Sequence, residues 1–165
     1  MIKLDVNLYA SSLSIRPEIW NQNLNRFSEC EMIFDTGATM TTIDKSVALR
    51  AGYSLRTAEV FKVHTAGGEI EVRRIIAPNI KLGGFELGAV AIDVTDFPKE
   101  GNTTAVLGLN VIRNFVTTID IDDKSGLAGY ITLNPKFSLE EKDSLESFSL
   151  KTSKFGVWIG KTELS

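Results

Sequence analysis

The sequence turns on Ile33-Phe34-Asp35-Thr36-Gly37-Ala38. Glu31-Met32-Ile33-Phe34 reads as a strand, and Asp35 follows it directly. A carboxylate at the end of a buried strand needs hydrogen-bond partners, because burying an unpaired charge is costly. Thr36 brings a hydroxyl and Gly37 a freely oriented backbone N–H, and a glycine also lets another segment approach closely. In isolation the same residues make an ordinary turn opened by Asp. A second stretch, Ala105-Val106-Leu107-Gly108, places a glycine after two apolar residues, 73 positions beyond Asp35. By itself it reads as a strand reaching the start of a helix.

Outward from these two stretches the apolar pattern has mostly period two, in short runs broken by Gly, Asn and Pro, which predicts an all-β domain rich in hairpins. Ile2, Leu4, Val6 and Leu8 alternate as a first strand. Residues 11–29 are polar and irregular; they predict a long loop, an insertion over 11–27, with one helical turn near Pro17-Glu18-Ile19-Trp20. Asp44 is a plausible N-cap for a short helix over Lys45 to Ala51, with Gly52 as its stop. Val60 to Thr65 and Glu69 to Ile76 form two strands joined at Ala66-Gly67-Gly68, a strong hairpin signal. A second hairpin turns at Gly83-Gly84, between Ile80-Lys81-Leu82 and Phe85 to Val94. After a polar loop, Phe97 to Asn102, come a short strand ending at Gly108, helical character over Leu109 to Phe115, and a strand from Val116 to Ile121. Asp122 to Gly126 turns into a strand from Leu127 to Leu133. The composition then shifts, so the domain is placed at 1–135 and an extension at 136–165, with Phe155 to Lys161 as a possible terminal strand.

Composition excludes several classes. The chain has 165 residues, 43% hydrophobic and 24% charged, as in one ordinary globular domain. Its net charge of −3 leaves no basic excess to hold nucleic acid by its phosphates. No apolar run reaches the roughly 18 residues a membrane span requires. Cys30 is the single cysteine, so no intrachain disulfide forms, and one His with one Cys makes no structural zinc site. With no signal-peptide core after Met1, a cytoplasmic location is expected, and no cofactor.

Taken together, Ile33 to Ala38, the glycine-tipped hairpin, and Val106-Leu107-Gly108-Leu109-Asn110-Val111-Ile112 resemble the retropepsin-like aspartic proteases, single-domain relatives of pepsin. The order and approximate spacing match over about residues 28–133. The resemblance implies a single-lobe acid-protease β-barrel with one short helix in its C-terminal half, working as a C2 homodimer on a peptide or protein. Viral members often carry an acid after the first motif's Ala and an Arg after the second motif's Gly. Here those positions are Thr39 and Leu109, so both partners of that brace are changed and no orphan charge remains.

The same resemblance implies a mechanism. Two carboxylates share a proton: the ionised one draws a proton from water, and the protonated one polarises the scissile carbonyl. The titration belongs to the pair. One Asp-Thr-Gly per chain supplies one catalytic carboxylate, Asp35, so a dimer must bring in the second. Thr36 would lock the two loops across the axis; Gly37, Ala38, Thr39 and Gly108 would support the site, and Val106 would line the cleft. Val63 to Ile70, with Thr65, Ala66, Gly67 and Gly68 at its tip, would be a flap that excludes water and bonds an extended peptide. His64 is expected to be a solvated strand residue. Terminal strands would seal the dimer, with Met1 to Leu8 and Phe155 to Lys161 as candidates. Neither a metal nor a covalent intermediate is required.

Two other readings compete. One is a catalytically silent dimeric peptide-binding module on the same fold. The other starts from Thr118-Ile119-Asp120-Ile121-Asp122, which is similar to the motif of phosphatases that use an aspartyl nucleophile. Those enzymes need a long α/β domain after the motif, and the residues that follow show no such alternation.

Overall fold

In chain order the protein forms β1 (Ile2–Asn7), β2 (Ser14–Ile15), β3 (Glu18–Asn21), β4 (Arg26–Glu29), β5 (Met32–Phe34), β6 (Thr42–Asp44) and helix α1 (Lys45–Arg50). There follow β7 (Glu59–Thr65), β8 (Gly68–Ala77), β9 (Ile80–Leu82), β10 (Phe85–Glu86), β11 (Val90–Thr95), β12 (Ala105–Leu107), α2 (Leu109–Ile112), β13 (Phe115–Ile121) and β14 (Ala128–Pro135). The structure, a computed structural model, describes residues 1–7, 13–121 and 128–136. Ten strands make one sheet in the order β13-β14-β1-β2-β5-β12-β6-β11-β8-β7; four make a second, β10-β9-β3-β4. The expected mostly-β architecture is present, with two short helices.

Its centre is the parallel pair β5 and β12, with Val106 opposite Ile33 and Leu107 opposite Phe34. Side chains alternate across a strand, so Met32, Phe34, Ala105 and Leu107 are buried on one face while Ile33 and Val106 are only half-buried on the other. Ile43, Ile92, Ile80, Leu82, Ile131 and Leu133 complete that core, each at most 1% exposed.

Local signals place the elements as expected at several points. Asp44 caps α1 by accepting from the Ser46 backbone N–H at 2.8 Å, and Gly52 ends it at φ +86°. Gly83 and Gly84 both have positive φ, at +53° and +84°, the backbone that a tight two-residue hairpin turn requires.

Elsewhere the structure corrects the expectation. The described part of 11–27 is not an open loop, and Pro17 to Trp20 is not helical. β3 alternates half-buried and buried residues and pairs with β4, with Trp20 and Phe27 edge to face at 5.2 Å. Ile19 is buried against the core. The turn between them uses Asn25 at φ +50°, and the Asn21 side chain accepts from the Leu24 N–H. Phe85 to Val94 is not one strand either. Gly88, at φ +75°, donates its N–H to Asn79 Oδ1, and the chain passes there from the small sheet to the large one. α2 is shorter than Leu109 to Phe115. The Asn114 amide donates to the carbonyls of Asn110 and Val111, and Phe115 already belongs to β13, its ring 5.6 Å from that of Phe85. The turn expected at Asp122 to Gly126 and the run from Phe155 to Lys161 lie outside the described residues.

The N-terminal strand is also committed within its own chain. β1 pairs with β14 from Ile2↔Leu133 to Asn7↔Ala128 and touches β2 at Asn7↔Ser14. It is therefore an internal strand of the described sheet, whereas β13 and β7 are the edges.

Candidate active site

Asp35 stands where β5 stops. Its backbone N–H donates to the Leu107 carbonyl at 3.1 Å, which carries the β5–β12 ladder one residue further. The Gly37 N–H then donates to Asp35 Oδ1 at 2.7 Å, and the Ala38 N–H to the Asp35 carbonyl at 3.3 Å. The carboxylate is thus oriented by its own turn and remains half-exposed, with Thr36 and Gly37 open to solvent. A Cβ at Gly37 would stand 3.1 Å from Asp35 Oδ1, which explains a small residue there.

The second motif is bolted to this turn. Leu109 and Asn110 donate their N–H groups to the carbonyls of Ala38 and Thr39, at 2.8 and 3.1 Å. One of these bonds starts at Leu109 and the other ends at Thr39, the two positions where the viral-type charge pair is missing, so backbone contacts tie the two segments there. Gly108 is buried so tightly against the Met40–Thr41 peptide that a Cβ would lie 2.4 Å from the Met40 carbonyl carbon. Its glycine is a matter of space, since its φ of −101° suits any residue.

Behind the loop lies a closed polar group. The Thr41 N–H and hydroxyl both donate to Asn110 Oδ1 at 2.7 and 2.9 Å, the Gly108 N–H donates to Thr41 Oγ1 at 3.1 Å, and the Asn110 amide donates to the Ala91 carbonyl at 2.8 Å. Thr41 is 0% and Asn110 7% exposed, so these bonds satisfy groups that would otherwise be buried without partners. Sequence reasoning missed both residues. Their only signal was polarity inside apolar surroundings, Asn110 between Leu109 and Val111 above all.

The strand registers also build a wall. Ile33, Val106, Thr42, Asp93, Arg74 and Glu59 lie opposite one another in succession across β5, β12, β6, β11, β8 and β7. All six therefore share one face, which alternation also assigns to Asp35, two residues after Ile33. Arg74 grips Asp93 with two bonds, Nε to Oδ1 at 2.7 Å and Nη2 to Oδ2 at 3.0 Å. Its guanidinium carbon sits 4.2 Å from the Phe61 ring centroid. A carboxylate inside the apolar run Val90 to Val94 was the signal for this pair, and sequence reasoning did not use it.

β7 and β8 project beyond the wall as a hairpin. Phe61, Val63, Ile70 and Val72 share the wall's face; Lys62, His64, Glu69 and Glu71 take the other. Lys62 approaches Glu69 at 3.3 Å, and His64 is largely solvated, as expected. At the tip, Thr65 Oγ1 donates to the Gly68 carbonyl at 2.9 Å and accepts from the Gly67 N–H at 3.2 Å, with Ala66 and Gly67 as the turn. All four tip residues are exposed. The structure brings Asp35 to Thr39, Val106 and Gly108 together, and it places Thr65 to Gly68 on this separate hairpin. On the opposite face of β8, Arg73 and Glu71 line a 430 Å³ cavity with Lys45, Arg56 and Asp96; no residue of the Asp35 loop lines it. Among the described residues no group of three His, Cys, Asp or Glu side chains is arranged to hold a metal, and no helix is long and apolar enough to cross a membrane.

The aspartyl protease family model matches residues 21–111, from the end of β3 through most of α2. The fold is similar to a crystal structure of a retropepsin-like aspartic protease from Rickettsia conorii, with TM-score 0.57 and 16% identity, over 78% of this chain and 89% of that one. It is also similar to EIAV protease complexed with the inhibitor HBY-793, with TM-score 0.50 and 19% identity, over 62% of this chain and 86% of that one. No curated protein sequence matches. Because the family match covers more than half of the chain and takes in Asp35, the β7–β8 hairpin and Gly108 together, the chain belongs to the aspartyl protease family and carries its retropepsin-like single-domain fold.

Proposed function

We propose that this chain is an aspartic endopeptidase that works as a homodimer. The observation that carries the reading is the Asp35 turn, a half-exposed carboxylate oriented by the Gly37 N–H and braced from behind by α2. One chain supplies one such carboxylate, so two copies meet about a two-fold axis to form the proton-sharing pair. The ionised Asp35 takes a proton from water as that water attacks the peptide carbonyl. The protonated Asp35 of the second copy donates to the carbonyl oxygen and stabilises the tetrahedral intermediate. The exposed Thr36 hydroxyl is free to bond across the axis, and Thr39 and Ala38 frame the site. Val106 lines the cleft beside Ile33. The β7–β8 hairpin serves as the flap. Its apolar residues Phe61, Val63 and Ile70 turn to an extended peptide, and Thr65 to Gly68 give it a tip with few packing constraints.

A free edge supports the dimer. Among the described residues β13 has no neighbour on its outer side, and Val116, Ile119 and Ile121 are each more than 40% exposed along it. An apolar sheet edge of this kind is available to a second copy.

The test is cleavage of an unfolded protein between pH 4 and 7 by the wild type and by Asp35→Asn. Cleavage by the wild type alone is expected. Equal cleavage by both, or none by either, favours the silent peptide-binding module.

A further inference from the structure

Most of the wall on Asp35's face is apolar where it starts, at Ile33 and Val106, and polar where it continues, at Thr42, Asp93, Arg74 and Glu59. The ion pair at its centre is well enclosed: the Asp93 side chain is 4% and the Arg74 side chain 14% exposed. The Thr42 hydroxyl donates to the Met40 carbonyl at 3.2 Å, which leaves its oxygen as an acceptor facing the same side. The Arg74–Asp93 pair is neutral as a unit, and exposed Glu59 places a negative charge at the outer end of the row.

We propose that this row is a specificity-determining subsite that selects a hydrogen-bonding, uncharged substrate side chain (Asn, Gln, Ser or Thr) over a large aliphatic one. The inference rests on the protease reading and adds its substrate class. A bulky aliphatic side chain pressed against the row would strip the remaining water from Thr42 and from the rim of the ion pair without replacing its hydrogen bonds. An amide or hydroxyl side chain replaces them. An acidic side chain meets Glu59, and a basic one meets Arg74. The ion pair also fixes the subsite's shape, since it ties β11 to β8 at the root of the hairpin and the Phe61 ring covers the guanidinium.

Cleavage-site profiling on a randomised peptide library tests this. The wild type should show one subsite near the scissile bond where Asn, Gln, Ser and Thr exceed Leu, Ile and Met by about tenfold, the scale on which an unpaired polar group discriminates. The double variant Arg74→Met with Asp93→Leu replaces the pair by apolar groups of similar size, a change that proteins often accept. It should invert the preference at that subsite and leave the others unchanged. Thr42→Val is a smaller change of the same sense and should shift the preference part of the way, so the question stays decidable if the double variant does not fold. A wild-type profile that is aliphatic at every subsite, or profiles unchanged in every folded variant, would overturn this inference while leaving the protease reading intact. No cleavage by the wild type would overturn both.

Discussion

Thr41 and Asn110 stand 69 residues apart in sequence and meet in the interior, where the N–H and the hydroxyl of Thr41 converge on the single oxygen Asn110 Oδ1. This contact joins the segment after the Asp35 turn to α2, and the Asn110 amide extends it to β11 through the Ala91 carbonyl. Replacing Asn110 by Ala strands three buried backbone or hydroxyl groups at once. Each such group costs on the order of 1–3 kcal/mol, so Asn110→Ala should destabilise by about 3 kcal/mol or more. Thr41→Ser keeps every hydrogen bond and loses one buried methyl, worth about 1 kcal/mol. Urea unfolding midpoints of the two variants distinguish these values. Equal losses would show that packing, not the polar contact, sets the cost.

Gly108 and Gly67 make a contrasting pair. Alanine at 108 drives a Cβ into the Met40–Thr41 backbone, 2.4 Å from the nearest atom, whereas alanine at 67 finds nothing closer than 3.7 Å. Overpacking of this sort costs about 1–3 kcal/mol, and here the strain falls on the peptide that follows the Asp35 turn. Gly108→Ala should lower both melting temperature and activity; Gly67→Ala should leave the melting temperature within about 1 °C, corresponding to a few tenths of a kcal/mol. A Gly108→Ala protein as stable as the wild type would contradict the close approach.

If each copy contributes half of the reacting centre, an Asp35→Asn chain should poison the wild type. Mixed dimers would then carry one carboxylate and one amide. With subunits exchanged freely and the total concentration held constant, activity should fall as the square of the wild-type fraction, to about a quarter at equal parts. A linear fall to one half would mean that single chains act alone.

The Asp44 carboxyl is held below its ordinary value of 3.8 by the Ser46 hydroxyl first and the Phe97 N–H second. A folded value below the unfolded one stabilises the ionised state. That contribution is complete above the unfolded value and disappears as the pH falls through the folded one. Asp44→Ala should therefore cost about 1 kcal/mol, the ordinary loss of an N-cap, at pH 5–7. The gap from the wild type should narrow below about pH 4. Thermal unfolding of both proteins from pH 2.5 to 7 measures it, and a gap constant across that range would argue against a role for the charge.

What was legible in the sequence was local. The Asp35 turn, the Asp44 cap, the Gly52 stop and the Gly83-Gly84 turn each rest on side chains within a few positions of one another, and the structure has them. β3 and β4 escaped because their turn uses Asn25 rather than a glycine, and because four-residue strands show little periodicity. The polar contacts behind the site escaped for another reason. Thr41 with Asn110 and Arg74 with Asp93 are partners only after distant strands have been set in register. The same holds for β1, whose alternation is plain in the sequence although its place inside the sheet is not.

That place has a consequence for how the protein is made. Ile2 waits for Leu133 and Asn7 for Ala128, so β1 finds its full-length neighbour only after the whole stretch between them has been synthesised. β13, which precedes that neighbour, is in the same position and, among the described residues, borders β14 alone. Nascent chains arrested before Ala128 should remain sensitive to proteolysis at Ile2–Asn7 and at Phe115–Ile121, and protection of both should arrive together once Pro135 has emerged. A maturing chain therefore carries a finished Asp35 turn while its outer sheet is still open, and that sheet closes only after β14 has been synthesised.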